Sequence, residues 1–74
     1  MEWLDEVADA LGVTRLSAAE VEQLLDLARV VAHGTERMNA PLATFLAGRA
    51  VGGGTDLATA ATTVERCAVS PAGS

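Results

Sequence analysis

Lysine and tyrosine are both absent from this 74-residue chain. Its five basic residues are arginines, scattered as Arg15, Arg29, Arg37, Arg49 and Arg66 against ten acids, for a net charge of −5 and a pI near 4.5. A nucleic-acid binder needs a basic patch to neutralise phosphates, and an anionic membrane surface attracts basic residues in the same way. Neither is expected as a partner. No apolar run approaches the ~20 residues of a membrane span. The opening Met-Glu-Trp-Leu-Asp-Glu is acidic where a secretory signal is basic. These features predict a cytoplasmic protein. A single cysteine, Cys67, excludes a disulfide within the chain, and its simplest reading is a small apolar residue of the last helix. Nor is Cys67 a good catalytic thiol, since a reactive thiolate wants a base and positive charge close by. His33 is the only histidine, and one imidazole with no neighbouring cysteine makes a poor metal site. No metal, cofactor or catalytic residue is expected.

Aromatic residues are almost lacking too: Trp3 and Phe45 are the only two. Half the residues are nevertheless apolar, so alanine, leucine and valine must fill the interior. That composition favours close helix packing over a sheet, where β-branched and aromatic side chains dominate. A chain of this length makes one domain, near the lower limit for a core without staples. Each buried alanine removes little area from water, so stability should be modest.

What is present is led by Ser17 to Gly34. Ser17 followed by Glu20 has the spacing of a capping box, in which serine accepts from an amide three residues on and glutamate reaches back. Val21, Leu24, Leu25, Leu27, Ala28, Val31 and Ala32 then recur at helical spacing over an arc of roughly 160°. Glu22, Gln23, Asp26, Arg29 and His33 mark the other face, with Val30 the one apolar intruder. Gly34 stands where a left-handed residue often closes a helix. A stripe this wide predicts a central helix.

The other helices follow from the same periodicity. Trp3, Leu4, Val7, Ala8 and Leu11 form a stripe over residues 2–11, with Glu2, Asp5, Glu6 and Asp9 opposite and Gly12 at the end. Leu16 can staple onto Val21. Pro41 suits the first position of a third helix over 41–51, with Leu42, Phe45, Leu46, Arg49 and Ala50 in register. Ala43, Ala47 and Gly48 are small enough to let another helix come close. Gly52-Gly53-Gly54 ends it, and Thr55 or Asp56 can cap a fourth helix over 56–68. The prediction is all-α: a compact four-helix domain over 1–68 with a central second helix and a flexible tail over 69–74. Its core is expected from Trp3, Leu4, Val7, Leu11, Leu24, Leu25, Ala28, Val31, Leu42, Phe45, Leu46, Leu57 and Val64.

The residues that invite a functional reading gather at the turn between helices two and three: His33, Gly34, Arg37, Pro41 and Thr44. They can hold the turn, with His33 and Arg37 bonding the last carbonyls of helix two, or they can present an edge to a partner. The triple glycine lacks the lysine of a phosphate-binding loop and follows no strand, so a flexible interhelical turn is the better account. No pair of carboxylates is flanked by anything that makes it an acid–base couple. An acyl carrier protein would need Asp-Ser-Leu at its second long helix, and the nearest echo, Thr55-Asp56-Leu57, lacks the serine.

Trp3-Leu4, Leu11-Gly12, Val31-Ala32-His33-Gly34, Arg37, Ala40-Pro41-Leu42, Thr44-Phe45-Leu46 and Gly48 together resemble a small helical domain of unknown function common in actinobacteria. The resemblance covers residues 2–52 and departs from the family's pattern at Met38-Asn39, where small residues or proline are more common. It brings no catalytic residues. Members occur alone or appended to proteins resembling molybdenum cofactor guanylyltransferases, which implies a link to molybdopterin guanine dinucleotide biosynthesis. Two readings of function follow. One is a non-catalytic accessory or protein-interaction domain, whose partner is a guanylyltransferase-like protein or a second copy. The other is a small enzyme or ligand-binding protein with a pocket at His33 and Arg37, joined by Glu36.

Overall fold

Short-range chemistry places the helix ends. The computed structural model, described over residues 2–69, contains α1 (Glu2–Leu11), α2 (Ala18–Gly34), α3 (Asn39–Gly52) and α4 (Leu57–Val69). The capping box forms as its spacing predicts: Ser17 Oγ accepts from the Glu20 amide at 3.1 Å, and Glu20 Oε1 accepts from the Ser17 amide at 2.8 Å. Asp56 caps α4 by accepting from the Thr59 amide at 2.7 Å. Gly12 ends α1 in the left-handed region at φ 72°, where the Val13 amide reaches back to the Ala8 carbonyl at 3.0 Å. Of the three glycines Gly52, Gly53 and Gly54 that close α3, Gly54 is the one that takes a positive φ, 112°, with Thr55 N donating to Ala50 O at 3.1 Å. Both are closures that an L side chain would strain. α3 starts two residues earlier than predicted. Backbone bonds from Asn39 N to Glu36 O and from Ala40 N to Arg37 O lead directly into it. Pro41 still falls in the first turn, where a missing N–H costs nothing. Of the tail expected over 69–74, Val69 is the last residue of α4 and 70–74 lie outside the described residues.

The fold is all-α, with α2 at the centre touching both α3 and α4, as its wide stripe predicts. A four-residue connection turns α3 back along α2. α4 runs in the same direction as α2: Gln23 and Asp26 lie beside Ala58 and Ala61, and Gly34 lies beside Ala68. The core between these three helices is Leu27, Val31, Ala47, Ala60, Ala61 and Ala68, flanked by Val30, Ala43 and Val64.

That core corrects the one expected from sequence. Val31 alone of the expected set is fully buried. Leu4, Val7, Leu24, Ala28, Leu57 and Val64 are half-buried, and Trp3, Leu11, Leu25, Leu42, Phe45 and Leu46 are exposed. The reason is the width of the apolar arcs. On α3, Ala43 and Ala47 lie about 100° round the helix from Leu42 and Leu46, and it is the alanines that face inward. Small residues let the helix axes approach, and this close approach leaves the leucines and the phenylalanine on the outside.

α1 is the second departure. It packs against none of the other three helices. Its Trp3–Leu11 stripe has no partner helix, and its exit is held by the Gly12 turn and by Arg15. That guanidinium donates twice to the Asp9 carboxylate, Nε to Oδ1 at 3.0 Å and Nη2 to Oδ2 at 2.7 Å.

Candidate functional site

The α2–α3 turn is built by residues other than those singled out from sequence. Thr35 follows the last residue of α2, and its amide and hydroxyl both donate to the Val31 carbonyl, at 2.9 and 2.7 Å. Asn39, in the first turn of α3, donates its side-chain amide to Thr35 Oγ1 at 3.1 Å. This chain ties the end of one helix to the start of the next. A threonine four residues after an apolar helical position, with an asparagine four residues beyond, is the local signal that reveals it.

Among the described residues, no side-chain hydrogen bond joins the members of the expected cluster. His33 and Arg37 are exposed, and neither side chain makes a hydrogen bond or ion pair among the described residues. Thr44 donates to the Ala40 carbonyl of its own helix at 2.8 Å and reaches neither of them. Pro41 is exposed in the first turn of α3. Gly34 has no positive φ, so it is not the left-handed cap its position suggests. Its lack of a side chain serves packing instead: a Cβ there would stand 2.6 Å from the Ala68 carbonyl oxygen of α4.

What the turn does is aim α3. Met38, just ahead of the helix, and Leu42, Phe45 and Leu46 on it face solvent, each 56–67% exposed. These positions share one side of the helix with Arg49, whose guanidinium sits 4.9 Å from the centre of the Phe45 ring. Between this side and α4 runs an open groove of about 250 Å³, its walls Val31, Leu42, Ala43, Leu46, Val64 and Ala68 and its rim Thr35, Asn39 and Cys67. Neither His33 nor Arg37 lines it. No acid occurs between Glu36 and Asp56, so the whole of α3 carries only positive charge. The groove is therefore apolar with an arginine beside it on α3, a surface for binding an apolar face rather than for moving protons.

The α3 face and the Trp3 stripe lie within one family match, which runs over residues 1–73. The chain belongs to the family described as domain of unknown function DUF6457. The family unit thus includes α4, beyond the residues that carry the resemblance in sequence, and so includes both walls of the groove. No curated protein and no solved structure matches the chain. Among the described residues, no three histidine, cysteine or acidic side chains gather so as to hold a metal ion. No helix among them is long and apolar enough to cross a membrane.

Proposed function

We propose that this member of DUF6457 is a non-catalytic protein-interaction module that docks through the outward face of α3. One observation carries the reading: Leu42, Phe45 and Leu46 stand 56–63% exposed on a helix whose inward side is alanine. Contiguous apolar surface of this kind marks an interface, and an aromatic ring with an arginine over it is the usual anchor. The partner to test first is a protein resembling a molybdenum cofactor guanylyltransferase, because of the appended arrangement that the sequence resemblance implies. Cys67 is a free, exposed thiol, which suits a reducing compartment, and the cytoplasm is the compartment proposed. The alternative pocket at His33 and Arg37 gains nothing from two solvent-facing side chains without partners among the described residues.

Titration calorimetry with a guanylyltransferase-like protein from the same organism tests the reading. Binding is expected, and Phe45→Ala should weaken it about thirtyfold or more, the size of a hot-spot loss of ~2 kcal/mol. Thermal stability should hardly change, since the ring is largely outside the core. Absence of binding, or binding indifferent to Phe45, overturns the proposal.

A further inference from the structure

Two apolar surfaces of this molecule lack a partner, and they do not meet within one copy. The first is the stripe of α1, where Trp3 and Leu11 are each 71% exposed and Leu4 and Val7 are half-buried. The second is the groove bounded by Leu42, Leu46 and Val64. We infer that α1 of one copy lies in the α3–α4 groove of a second copy, and that the exchange is reciprocal, giving a two-fold dimer. This deepens the reading of α3 as a docking surface, on which it rests, by naming an occupant.

Charge complementarity favours this occupant. α1 carries Glu2, Asp5, Glu6 and Asp9 and no base, with Asp9 already engaged by Arg15. The outward face of α3 carries one charged residue, Arg49, while Glu36 and Arg37 offset each other in the turn. An acidic amphipathic helix suits an uncharged apolar groove with Arg49 beside it, and like-charged alternatives such as α1 on α1 are repelled. Extent favours it as well. On the two surfaces, Trp3, Leu11, Met38, Leu42, Phe45 and Leu46 are 56–71% exposed. At roughly 100 Å² for a whole side chain, they leave on the order of 400 Å² of apolar surface open per copy. A standard interface takes about 800 Å² from each partner, of which roughly 450 Å² is apolar. Reciprocal exchange uses each copy twice, as arm and as groove, and closes without leaving either surface free. The hinge is present: Gly12 turns the chain, and residues 13–17 form no regular structure between α1 and α2.

The test uses the whole chain and its single tryptophan, which lies on the arm. Light scattering at rising concentration should pass from 7.6 kDa toward twice that mass, with the Trp3 emission moving to shorter wavelength in step. Trp3→Glu spoils the arm and Leu46→Glu spoils the groove; both positions are more than half exposed, so circular dichroism should stay helical. Each variant alone should be monomeric. Mixed, they retain one intact arm and one intact groove, and should re-form a weaker dimer in which the remaining Trp3, on the Leu46→Glu copy, shifts its emission. If either variant loses helicity, Val7→Glu and Leu42→Glu replace the pair. A chain monomeric at every concentration overturns the inference, as does a dimer insensitive to Trp3→Glu or a mixture that fails to associate. A monomer that still binds a guanylyltransferase-like protein through Phe45 overturns only the dimer. A dimer that binds no such protein leaves the exchange standing and sinks the choice of partner.

Discussion

At the scale of single residues, two glycines inside helices make opposite predictions from the same substitution. An exposed helical glycine usually gains from alanine, which loses less conformational freedom on folding. Gly48 meets that condition, since a Cβ there would touch nothing within 4 Å. Gly48→Ala should raise stability by about 0.5–1 kcal/mol in urea unfolding. At Gly34 the added carbon would lie 2.6 Å from a backbone oxygen of Ala68, and only movement of α4 can relieve that. Gly34→Ala should therefore lower stability by roughly 1–3 kcal/mol, as overpacking does. A stabilised Gly34→Ala protein would show that α2 and α4 do not approach as closely as they do here. Both glycines are visible in the sequence, but only contact with a remote helix distinguishes them. His33 and Arg37 teach the same lesson in reverse. Their position at a turn drew a functional reading, while Thr35 and Asn39, plainer in type, make the bonds.

At the scale of elements, local signals were legible and lateral ones were not. Ser17 with Glu20, Gly12, and Asp56 ahead of Leu57 fix their helix ends by contacts within six residues, and all act as their spacing predicts. The inward face of α3 was misread because alanine and leucine stripes lie side by side, and periodicity does not say which a neighbour will cover. α1 was misread because an amphipathic helix signals that it needs a partner without saying whether its own chain supplies one. The cap of α4 also carries a pH dependence. The Thr59 amide, and then the Thr59 hydroxyl, hold the Asp56 carboxyl below its ordinary value of 3.8. The folded state then binds fewer protons than the unfolded state through that range, so the contribution is complete above the ordinary value and is lost as pH falls through the lowered one. Asp9, held down by Arg15, adds a change of the same sign. Stability should thus decline below about pH 4. Asp56→Asn, which still offers an oxygen to the Thr59 amide, should flatten part of that decline. An unchanged acid profile would show that Asp56 is not the cap in solution.

At the scale of the whole molecule, stability and association are one question. Among the described residues Leu27 is the only large side chain wholly out of water, and the rest of the core cluster is one valine and four alanines. Burial of that size contributes little against the entropy of ordering a chain of this length. Apolar area that the three packed helices leave open is thus the largest reserve the molecule has, and a second copy covers it in the exchange argued above. Whatever binds the folded state and not the unfolded one stabilises it by mass action. For a dimer that unfolds to two free chains, each tenfold rise in concentration adds about 1.4 kcal/mol per dimer. With a cooperative unit of two chains, that corresponds to a rise in Tm of roughly 3–5 °C. The wild-type chain should show this slope in thermal scans, and Leu46→Glu should melt at a lower temperature that does not depend on concentration. Leu46 is 56% exposed and outside the buried core, so its replacement takes little from the core of one copy. The loss of concentration dependence, rather than the drop in Tm itself, isolates the contact between copies. A wild-type Tm that stays flat with concentration would mean that the open apolar faces of α1 and α3 contribute nothing to holding the fold together.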